Sequence, residues 1–511
     1  MKITKKQLYV AIPVAVAVIV ILIFLIFGGS KDYTQVIPSD ASVVVSVDIP
    51  SIMKTSGLAD KTPDELKSMA DKIYNPALKA LVQDPAATGL SLKDKAYLFA
   101  SVNKDEPTLV FKVTDKGKLE KTFKQLITDG MCDDIEDHGS YEWTLFHGVG
   151  YCAFNKRVLM IVTSADIAPD NVMVRVRDLM KQGKGDCILS NPAFEHLEKT
   201  PAEMNMYLSL DAFPQASTLS MMMGIPGSVS LRNMRLLAHV NFMNGKVVTD
   251  GEYFTTDKDL QKYLDGESTK IRAINKIFLN RIPQTVMAAM TVNMSGDKVY
   301  QLLLGSSAFK GEMNKLKNNP KFKVADFFNN INGDVTMAFT GFNQYSDPKL
   351  DIYISMPQAK LDEAFKNLTS QMQIAGLSMR PSSAPGEYVF DNKQMKLTVY
   401  ATQGKGFLYL ANDDQAQHPA TAVVPSPLFA STLEGMQRRP TGYIVINPQA
   451  MLTDGYFQTL LRGIGNIGKS VTKTLGACYV VEAYNTGNNK FRLNIYMKNK
   501  QDNILKNIFK K

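Results

Sequence analysis

The chain has 511 residues and a formal net charge of +9 at pH 7. The charge is concentrated at the two ends, with +3 in residues 1–30 and +4 in residues 498–511, so the body carries only about +2. Nucleic-acid binding needs a concentrated basic face with stacking aromatic side chains. The body has no such run, and the composition therefore excludes nucleic acid as an expected partner.

The first predicted element is a transmembrane helix over Leu8–Phe27. This run of twenty residues contains no charged side chain, and a helix of that length spans roughly 30 Å, the thickness of the hydrocarbon core of a bilayer. Lys2, Lys5 and Lys6 precede it, which predicts a cytoplasmic N-terminus. No small-residue cleavage site follows, so residues 1–30 are predicted to be an uncleaved signal anchor. We expect a single-pass protein of a bacterial membrane with a periplasmic or cell-surface domain.

The remaining chain is predicted to form two homologous lobes, residues 31–270 and 271–511. One order of elements recurs at an offset of roughly 235–250 residues. Strands joined by hairpins and separated by single helices predict an α+β fold, in which each lobe is a mainly antiparallel sheet with packed helices. The period is far too long for a solenoid, so the sequence favours duplication of a domain-sized unit.

The closest match between the two lobes is an amphipathic helix. Leu119, Phe123 and Leu126 stand at i, i+4 and i+7. This spacing puts them on one face of a helix, and that face should pack on the sheet. The residues with the same spacing in the second copy are Leu361, Phe365 and Leu368.

An acidic loop in the first copy is a candidate metal site. Residues Asp133 to His138 contain four carboxylates and one imidazole. Such groups could hold calcium or a transition metal, and a bound ion could activate water. The spacing does not fit an EF-hand, and the second copy lacks a counterpart, so an exposed loop without metal is favoured. The alternative is an extracytoplasmic metal-dependent hydrolase or metal-binding protein that uses the acidic loop Asp133 to His138, with Asp134 and His138 as the residues whose replacement tests it.

The other histidines are scattered, and no short catalytic motif accompanies them. The chain contains no GxSxG or HExxH sequence, and no histidine is paired by spacing with a second ligand or a nucleophile. The sequence therefore predicts no catalytic, cofactor-binding or metal-binding residue and no cofactor. The remaining histidines are His147, His196, His239 and His418.

The four cysteines do not form a CxxC motif, which leaves redox-motif and zinc-ribbon interpretations without support. Cys132 and Cys152 flank a hairpin-like segment and could meet in a disulfide. Cys478 lies in an apolar strand and is expected to be a buried thiol. The fourth is Cys187.

A methionine-rich stretch, Met221 to Met223, lies in a helix-like segment of the first copy. Methionine suits adaptable apolar contact surfaces. Three consecutive exposed methionines would form an aggregation-prone patch, so this stretch is expected to be buried between the lobes or to line a groove between them.

Residues 463–470 satisfy the phosphate-loop pattern GxxxxGK[ST]. A phosphate loop follows a strand and opens a helix, because loop amides and the helix N-terminus hold the phosphates. Here a predicted helix precedes the pattern and a predicted strand follows. We therefore expect a glycine-rich turn from helix to strand. The lysine-rich tail after it, residues 498–511, is expected to be a frayed, solvated end.

The segment from Tyr33 to Val44, with Ile37-Pro38-Ser39-Asp40 at its centre, resembles the opening of a family of uncharacterised cell-envelope proteins from Bacteroidetes-type bacteria. That family is known as a domain of unknown function, and many members look like lipoproteins. The resemblance extends from about Asp32 to the end of the chain and implies an envelope location without implying catalytic residues. Ser30 stands where a lipid-bearing cysteine would be, so lipid attachment is not expected.

These expectations combine into a membrane-anchored envelope protein that binds a partner without catalysis. The anchor, the duplication and the lack of a repeated catalytic constellation all favour a binding or assembly module. The predicted partners are the membrane, through Leu8–Phe27, and a protein, lipid or glycan of the envelope.

Overall fold

The computed structural model describes residues 31–70, 85–101, 104–163, 169–210, 230–268, 272–275, 277–282, 285–305, 324–343, 347–374, 376–383, 386–392, 397–412, 440–487, 489–501 and 503–509. These residues form two compact units. The first unit contains the described residues within Met1–Phe213, Arg232–Thr256 and Lys500–Lys511. The second contains those within Pro214–Leu231 and Asp257–Asn499.

The first unit is built on ten strands. They are β1 (Val43–Val47), β2 (Ala96–Ser101), β3 (Lys104–Lys112), β4 (Glu136–Asp137), β5 (Glu142–Phe146), β6 (Gly150–Phe154), β7 (Val158–Val162), β8 (Met204–Ser209), β9 (Met234–Met243) and β10 (Lys246–Thr255). Neighbouring strands are antiparallel, in the order β10-β9-β8-β1-β2-β3-β7-β6-β5-β4.

The second unit is also built on ten strands. They are β11 (Ala288–Ser295), β12 (Asn332–Phe342), β13 (Pro348–Ser355), β14 (Ser378–Pro381), β15 (Glu387–Asn392), β16 (Leu397–Gly404), β17 (Phe407–Ala411), β18 (Gly442–Ile446), β19 (Cys478–Asn485) and β20 (Lys490–Met497). Their antiparallel order is β20-β19-β18-β11-β12-β13-β17-β16-β15-β14. This is the order of the first sheet with ten added to each strand number.

The described residues also form thirteen α-helices. They are α1 (Ile49–Ser56), α2 (Pro63–Ala70), α3 (Lys116–Thr128), α4 (Pro169–Lys181), α5 (Pro192–Glu198), α6 (Lys258–Ser268), α7 (Gly296–Gly305), α8 (Val324–Asn329), α9 (Gln358–Ile374), α10 (Pro448–Thr453), α11 (Gly455–Gly463), α12 (Gly465–Ala477) and α13 (Ile504–Phe509). Helix α6 belongs to the second unit and α13 to the first. The unit bounds therefore differ from the predicted repeats, residues 31–270 and 271–511, which stay a prediction.

The predicted amphipathic helix is α3, and its apolar face lies in the core. Asp115 begins the helix, because its carboxylate accepts a hydrogen bond from the backbone N–H of Lys118 at 3.0 Å. Leu119, Phe123 and Leu126 are buried, as the spacing predicts. The Phe123 ring stacks on Phe154 of β6 with the ring centres 4.9 Å apart, so α3 is held against the sheet.

The membrane-spanning part of the predicted fold class is wrong. No helix in the part of the chain that the structure describes is long and apolar enough to cross a membrane. The longest, α9, has seventeen residues and carries four charged side chains. The predicted span, Leu8–Phe27, lies outside the described residues. We therefore correct three predictions together, the transmembrane helix before two lobes, the signal anchor and the single-pass location, and replace them by two ten-stranded antiparallel sheets with packed helices.

Candidate functional site

The predicted acidic loop lies at the β4 edge of the first sheet, and two of its carboxylates pair with nearby histidines. Asp133 Oδ1 is 2.8 Å from His147 Nε2, while His147 Nδ1 is 3.2 Å from the carbonyl oxygen of Gly130. Glu136 Oε2 is 3.4 Å from His138 Nε2. The carboxylates therefore face separate partners and do not share one centre.

The geometry of the loop gives the metal hypothesis no support. Among the described residues, no group of three or more His, Cys, Asp or Glu side chains is placed to hold a metal ion. Asp134 and His138 are both exposed at this edge. Asp133, through its hydrogen bond to the imidazole, raises the pKa of His147, and the Gly130 carbonyl adds to this effect.

The four cysteines are free and buried. Cys132 lies opposite Phe146 on one side of β5, and Cys152 lies opposite Thr144 on the other side. Two strand spacings, about 9.6 Å, separate them across the sheet, and a two-residue offset along β5 adds to this distance, whereas a disulfide needs Cα atoms within about 7 Å. Burial raises the pKa of the Cys132 thiol to about 11, which makes it a poor nucleophile.

The phosphate-loop pattern joins two helices. Helix α11 ends at Gly463, and α12 runs from Gly465 to Ala477 before β19 begins at Cys478. The predicted turn from helix directly to strand is therefore wrong. No strand leads into the pattern, so the arrangement that holds phosphates is missing from this segment. Lys469 is exposed on α12.

Two further sequence candidates cannot be placed. Met221 to Met223 and His418 lie outside the described residues.

A polar group that the sequence did not reveal lies on one face of the first sheet. We call it the histidine cluster and define it as His196, Asn205, His239, Asp250 and Glu252. Asn205, His239 and Asp250 stand opposite one another on β8, β9 and β10. His196 comes from α5 and its Nε2 is 2.5 Å from Glu252 Oε1. These residues are distant in sequence. The pairing of β8, β9 and β10, with α5 against them, brings them together.

Helix α5 is fixed over this face at both ends. Asn191 begins it by accepting a hydrogen bond from the N–H of Ala193 at 3.0 Å. At the last residue, the buried carboxylate of Glu198 pairs with Lys95 Nζ at 2.8 Å and accepts a hydrogen bond from Ser46 Oγ at 3.1 Å. A buried carboxylate needs such partners, because leaving its charge unpaired would be strongly unfavourable.

The protonation of His239 follows from its neighbours. The amide nitrogen of Asn205 donates to the carbonyl oxygen of Thr200 at 3.4 Å, which leaves Asn205 Oδ1 as an acceptor. That oxygen is 2.9 Å from His239 Nδ1, so Nδ1 carries the proton and the neutral ring keeps Nε2 as an acceptor. Burial lowers the pKa of His239, against the opposing charges of Glu252 and Asp250.

The cluster is equipped to accept a hydrogen bond. The nearby hydroxyl of Ser46, which faces Asn205 across β1 and β8, donates to Glu198 and not to His239. A nucleophile activated by His239 would need a direct hydrogen bond to it. Ser46 is therefore not placed as a nucleophile that His239 activates.

The lowered pKa of His239 predicts a pH dependence of stability. The unfolded chain binds a proton at this imidazole below about pH 6.5, whereas the folded chain binds it only at a lower pH, so stability should rise with pH through that window. We expect the urea midpoint of the full chain to rise between pH 5 and 7, and to rise less in His239→Asn.

His147→Asn provides a control of opposite sign. The raised pKa of His147 contributes stability below the unfolded pKa, and this is lost as the pH rises through the folded pKa. The midpoint of His147→Asn should therefore rise more steeply than that of the parent. An unchanged slope in His239→Asn would show that this ring titrates alike in both states.

Similarity to solved structures is slight. Chains titled "Structure of crystal form IV of TP0453", and those of forms I and III, match with TM-scores of 0.27, 0.26 and 0.26 and sequence identities of 10%, 11% and 10%. The match to form IV covers 46% of this chain and 85% of that chain, and the matches to forms I and III each cover 48% and 88%. Scores at this level support no conclusion about fold or function.

Comparison with family models is informative. No curated protein matches the chain. The model described as "Domain of unknown function (DUF4836)" matches residues 33–505, which is most of the chain. The predicted membership of a family of unknown function is thereby confirmed: the chain belongs to the DUF4836 family.

Proposed function

We propose that this protein is a binding or assembly module without catalysis, and that its two units are copies of one ancestral unit. Two ten-stranded sheets with the same strand order support the duplication, because independent origins of one long order would be improbable. The predicted repeats at residues 31–270 and 271–511 are part of this proposal. A membrane anchor is not.

The observation that carries the proposal is an apolar face on the second sheet. Two neighbouring rows of side chains cross β20, β19, β18, β11 and β12 on the same face. None of the ten is buried, and Met337 is 38% exposed. We call these residues the apolar sheet face: Ala288, Met290, Met337, Phe339, Ile444, Ile446, Val481, Ala483, Leu493 and Ile495.

The opposite face of the same strands is buried although it is partly polar. Glu482 of β19 is 1% exposed and accepts hydrogen bonds from Tyr496 OH at 2.7 Å and Tyr443 OH at 3.2 Å. Thr291 and Thr336 share a hydrogen bond of 2.8 Å there. A one-sided antiparallel sheet normally turns its apolar side chains inward and its polar ones to water. The apolar side chains on the outer face therefore indicate that the apolar sheet face is a contact surface.

A protein is the occupant that suits this surface. Five strands span about 19 Å at their usual spacing, a width that suits a helix or a second sheet. Met290 and Met337 lie side by side at the β11–β12 end of one row, and methionine adapts to varied apolar partners. Nine of the ten residues are half-buried and Met337 is exposed, and a contiguous, partly exposed apolar surface of this kind marks contact sites.

Replacing Met337 tests the proposal. A photo-reactive side chain at position 337 of the full chain would capture the protein partner, which is then purified for affinity measurements. We expect Met337→Asp to weaken binding by at least about 30-fold, because an uncompensated charge buried against a partner costs about 2 kcal/mol or more.

Met379→Asp is the matched control. Met379 lies on β14 of the same unit, is 41% exposed and lies outside the apolar sheet face. The control should bind within about threefold of the parent, and both variants should keep their stability within about 1 kcal/mol. Equal binding by Met337→Asp, its unfolding, or capture of only lipid or glycan would each contradict the proposal.

A further inference from the structure

The C-terminal segment is a structural part of the first unit. The sequence predicts a frayed end at residues 498–511, and this prediction is wrong for the described part of that segment. Leu505 is 1% exposed and Asn503 is 3% exposed. Strand β20, which precedes the segment, belongs to the second unit, whereas residues from Lys500 onward belong to the first.

The contacts of this segment are specific. Asn503 Nδ2 donates to the carbonyl oxygen of Phe242 at 2.5 Å, and Asn503 Oδ1 accepts from the N–H of Leu505 at 2.9 Å. Asn503 also forms an antiparallel bridge with Asn244. Helix α13 packs on α1 and on β9. We call the surface made by α1, the end of β9 and the turn at 244–245 the acceptor surface.

A glycine makes the close approach possible. Gly245 has a φ of +69°, and a Cβ atom there would lie 2.7 Å from the carbonyl oxygen of Lys500. Only glycine combines this backbone conformation with that spacing at no steric cost. The acceptor surface is thus shaped for the chain that leads into α13.

Helix α6, the last helix of the first half, is also part of the unit that the other half mainly forms. Strands β19 and β20 begin 244 residues after β9 and β10, from Met234 to Cys478 and from Lys246 to Lys490. Helix α6, which follows β10, belongs to the second unit. Each half therefore contributes its last helix to the unit formed mainly by the other half.

We infer that the acceptor surface also takes the C-terminal segment of a second copy of this chain, so that copies link by exchanging this segment. An exchanged segment makes the same contacts as the original one, and such exchange is a low-cost route to oligomers. A short tether holds the chain's own segment at an effective concentration of roughly mM. Exchange should therefore grow as the protein concentration approaches that range.

A covalent trap tests the exchange in the full chain. Antiparallel bridge partners have Cα atoms about 4.5–5.5 Å apart, within the range of a disulfide. We would mix a chain carrying Asn244→Cys with one carrying Asn503→Cys, oxidise the mixture with diamide and measure the mass. The four native cysteines are buried. We expect a covalent dimer linked only between positions 244 and 503.

Three comparisons make the result decisive. The double variant Asn244→Cys/Asn503→Cys should close its own disulfide, which shows that the new cysteines leave docking intact. Pairing Asn503→Cys with Thr128→Cys, exposed on α3, should give at least tenfold less dimer, and so should adding Leu505→Asp to the Asn503→Cys chain.

The dimer fraction of the unaltered chain provides a second, independent measurement. Its sedimentation should show a dimer fraction that increases with concentration and disappears in Leu505→Asp. If the double variant closes internally while the mixture gives no dimer, the segment docks only on its own chain and the inference is overturned. A dimer that Leu505→Asp leaves unchanged would overturn it as well.

Discussion

Replacing Gly468 by alanine should lower the free energy of unfolding of the second unit by about 3 kcal/mol or more. A Cβ atom at this position would lie 1.7 Å from the carbonyl oxygen of Leu461. That oxygen is backbone of α11, so the two helices must move apart to relieve the overlap. The gap would loosen the packing of α11 against α12, which lie next to each other in the unit.

Lys469→Ala is the matched control for Gly468→Ala. The two residues are neighbours in the phosphate-loop pattern, and Lys469 is exposed, so its loss should change stability by less than about 0.5 kcal/mol. Urea unfolding of both variants measures the difference. A nucleotide-binding loop would instead show thermal stabilisation by ATP with magnesium that Lys469→Ala removes. That outcome, or an unchanged stability of Gly468→Ala, would contradict the packing role assigned to this glycine.

Replacing Glu482 by alanine should cost about 3 kcal/mol or more, because three neutral donors would lose their acceptor at about 1–3 kcal/mol for each one left buried and unsatisfied. Asn494 Nδ2 donates to Glu482 Oε1 at 2.8 Å, and two tyrosine hydroxyls donate to the same carboxylate. Tyr443 and Asn494 are buried and Tyr496 is half-buried, so these donors would have little water to replace the lost acceptor. Burial, followed by the hydrogen bond to Glu482, raises the pKa of Tyr496.

Glu482→Gln separates shape from charge. The amide keeps one acceptor oxygen and the volume of the side chain, so we expect roughly half the loss seen for alanine. Calorimetric or urea unfolding of the full chain distinguishes the two variants. A loss below about 1 kcal/mol for Glu482→Ala would mean that the network on β18, β19 and β20 contributes little. Other contacts would then have to stabilise the strands that carry the apolar sheet face.

Local patterns were sufficient to predict some elements. The spacing of Leu119, Phe123 and Leu126 predicts the buried face of α3, because helical periodicity depends only on neighbours in sequence. The order of hairpins and helices predicts antiparallel pairing for the same reason. In sequence alone Gly468 belongs to an expected glycine-rich turn, and only the contact with Leu461 identifies it as a packing residue between two helices.

Features that depend on long-range pairing were not predictable. His196, His239 and Glu252 meet because β8, β9 and β10 pair in one register beneath α5, and no short spacing encodes that register. Alternation along β11 and β12 shows that their two faces differ, but not which face is buried. Leu505 stands in a lysine-rich tail, and its burial depends on the packing of α13 on the distant α1 and β9.

The most direct measurement of the central claim is turnover by the purified full chain. The substrates would be panels of esters, peptides, glycosides and phosphates, each with and without zinc, manganese and calcium. The proposed binding role predicts no rate above buffer for the parent, and no change in that result for His239→Asn or for Asp134→Asn with His138→Asn. A robust rate that one of these variants abolishes would contradict the account and would identify the histidine cluster or the acidic loop as a catalytic site.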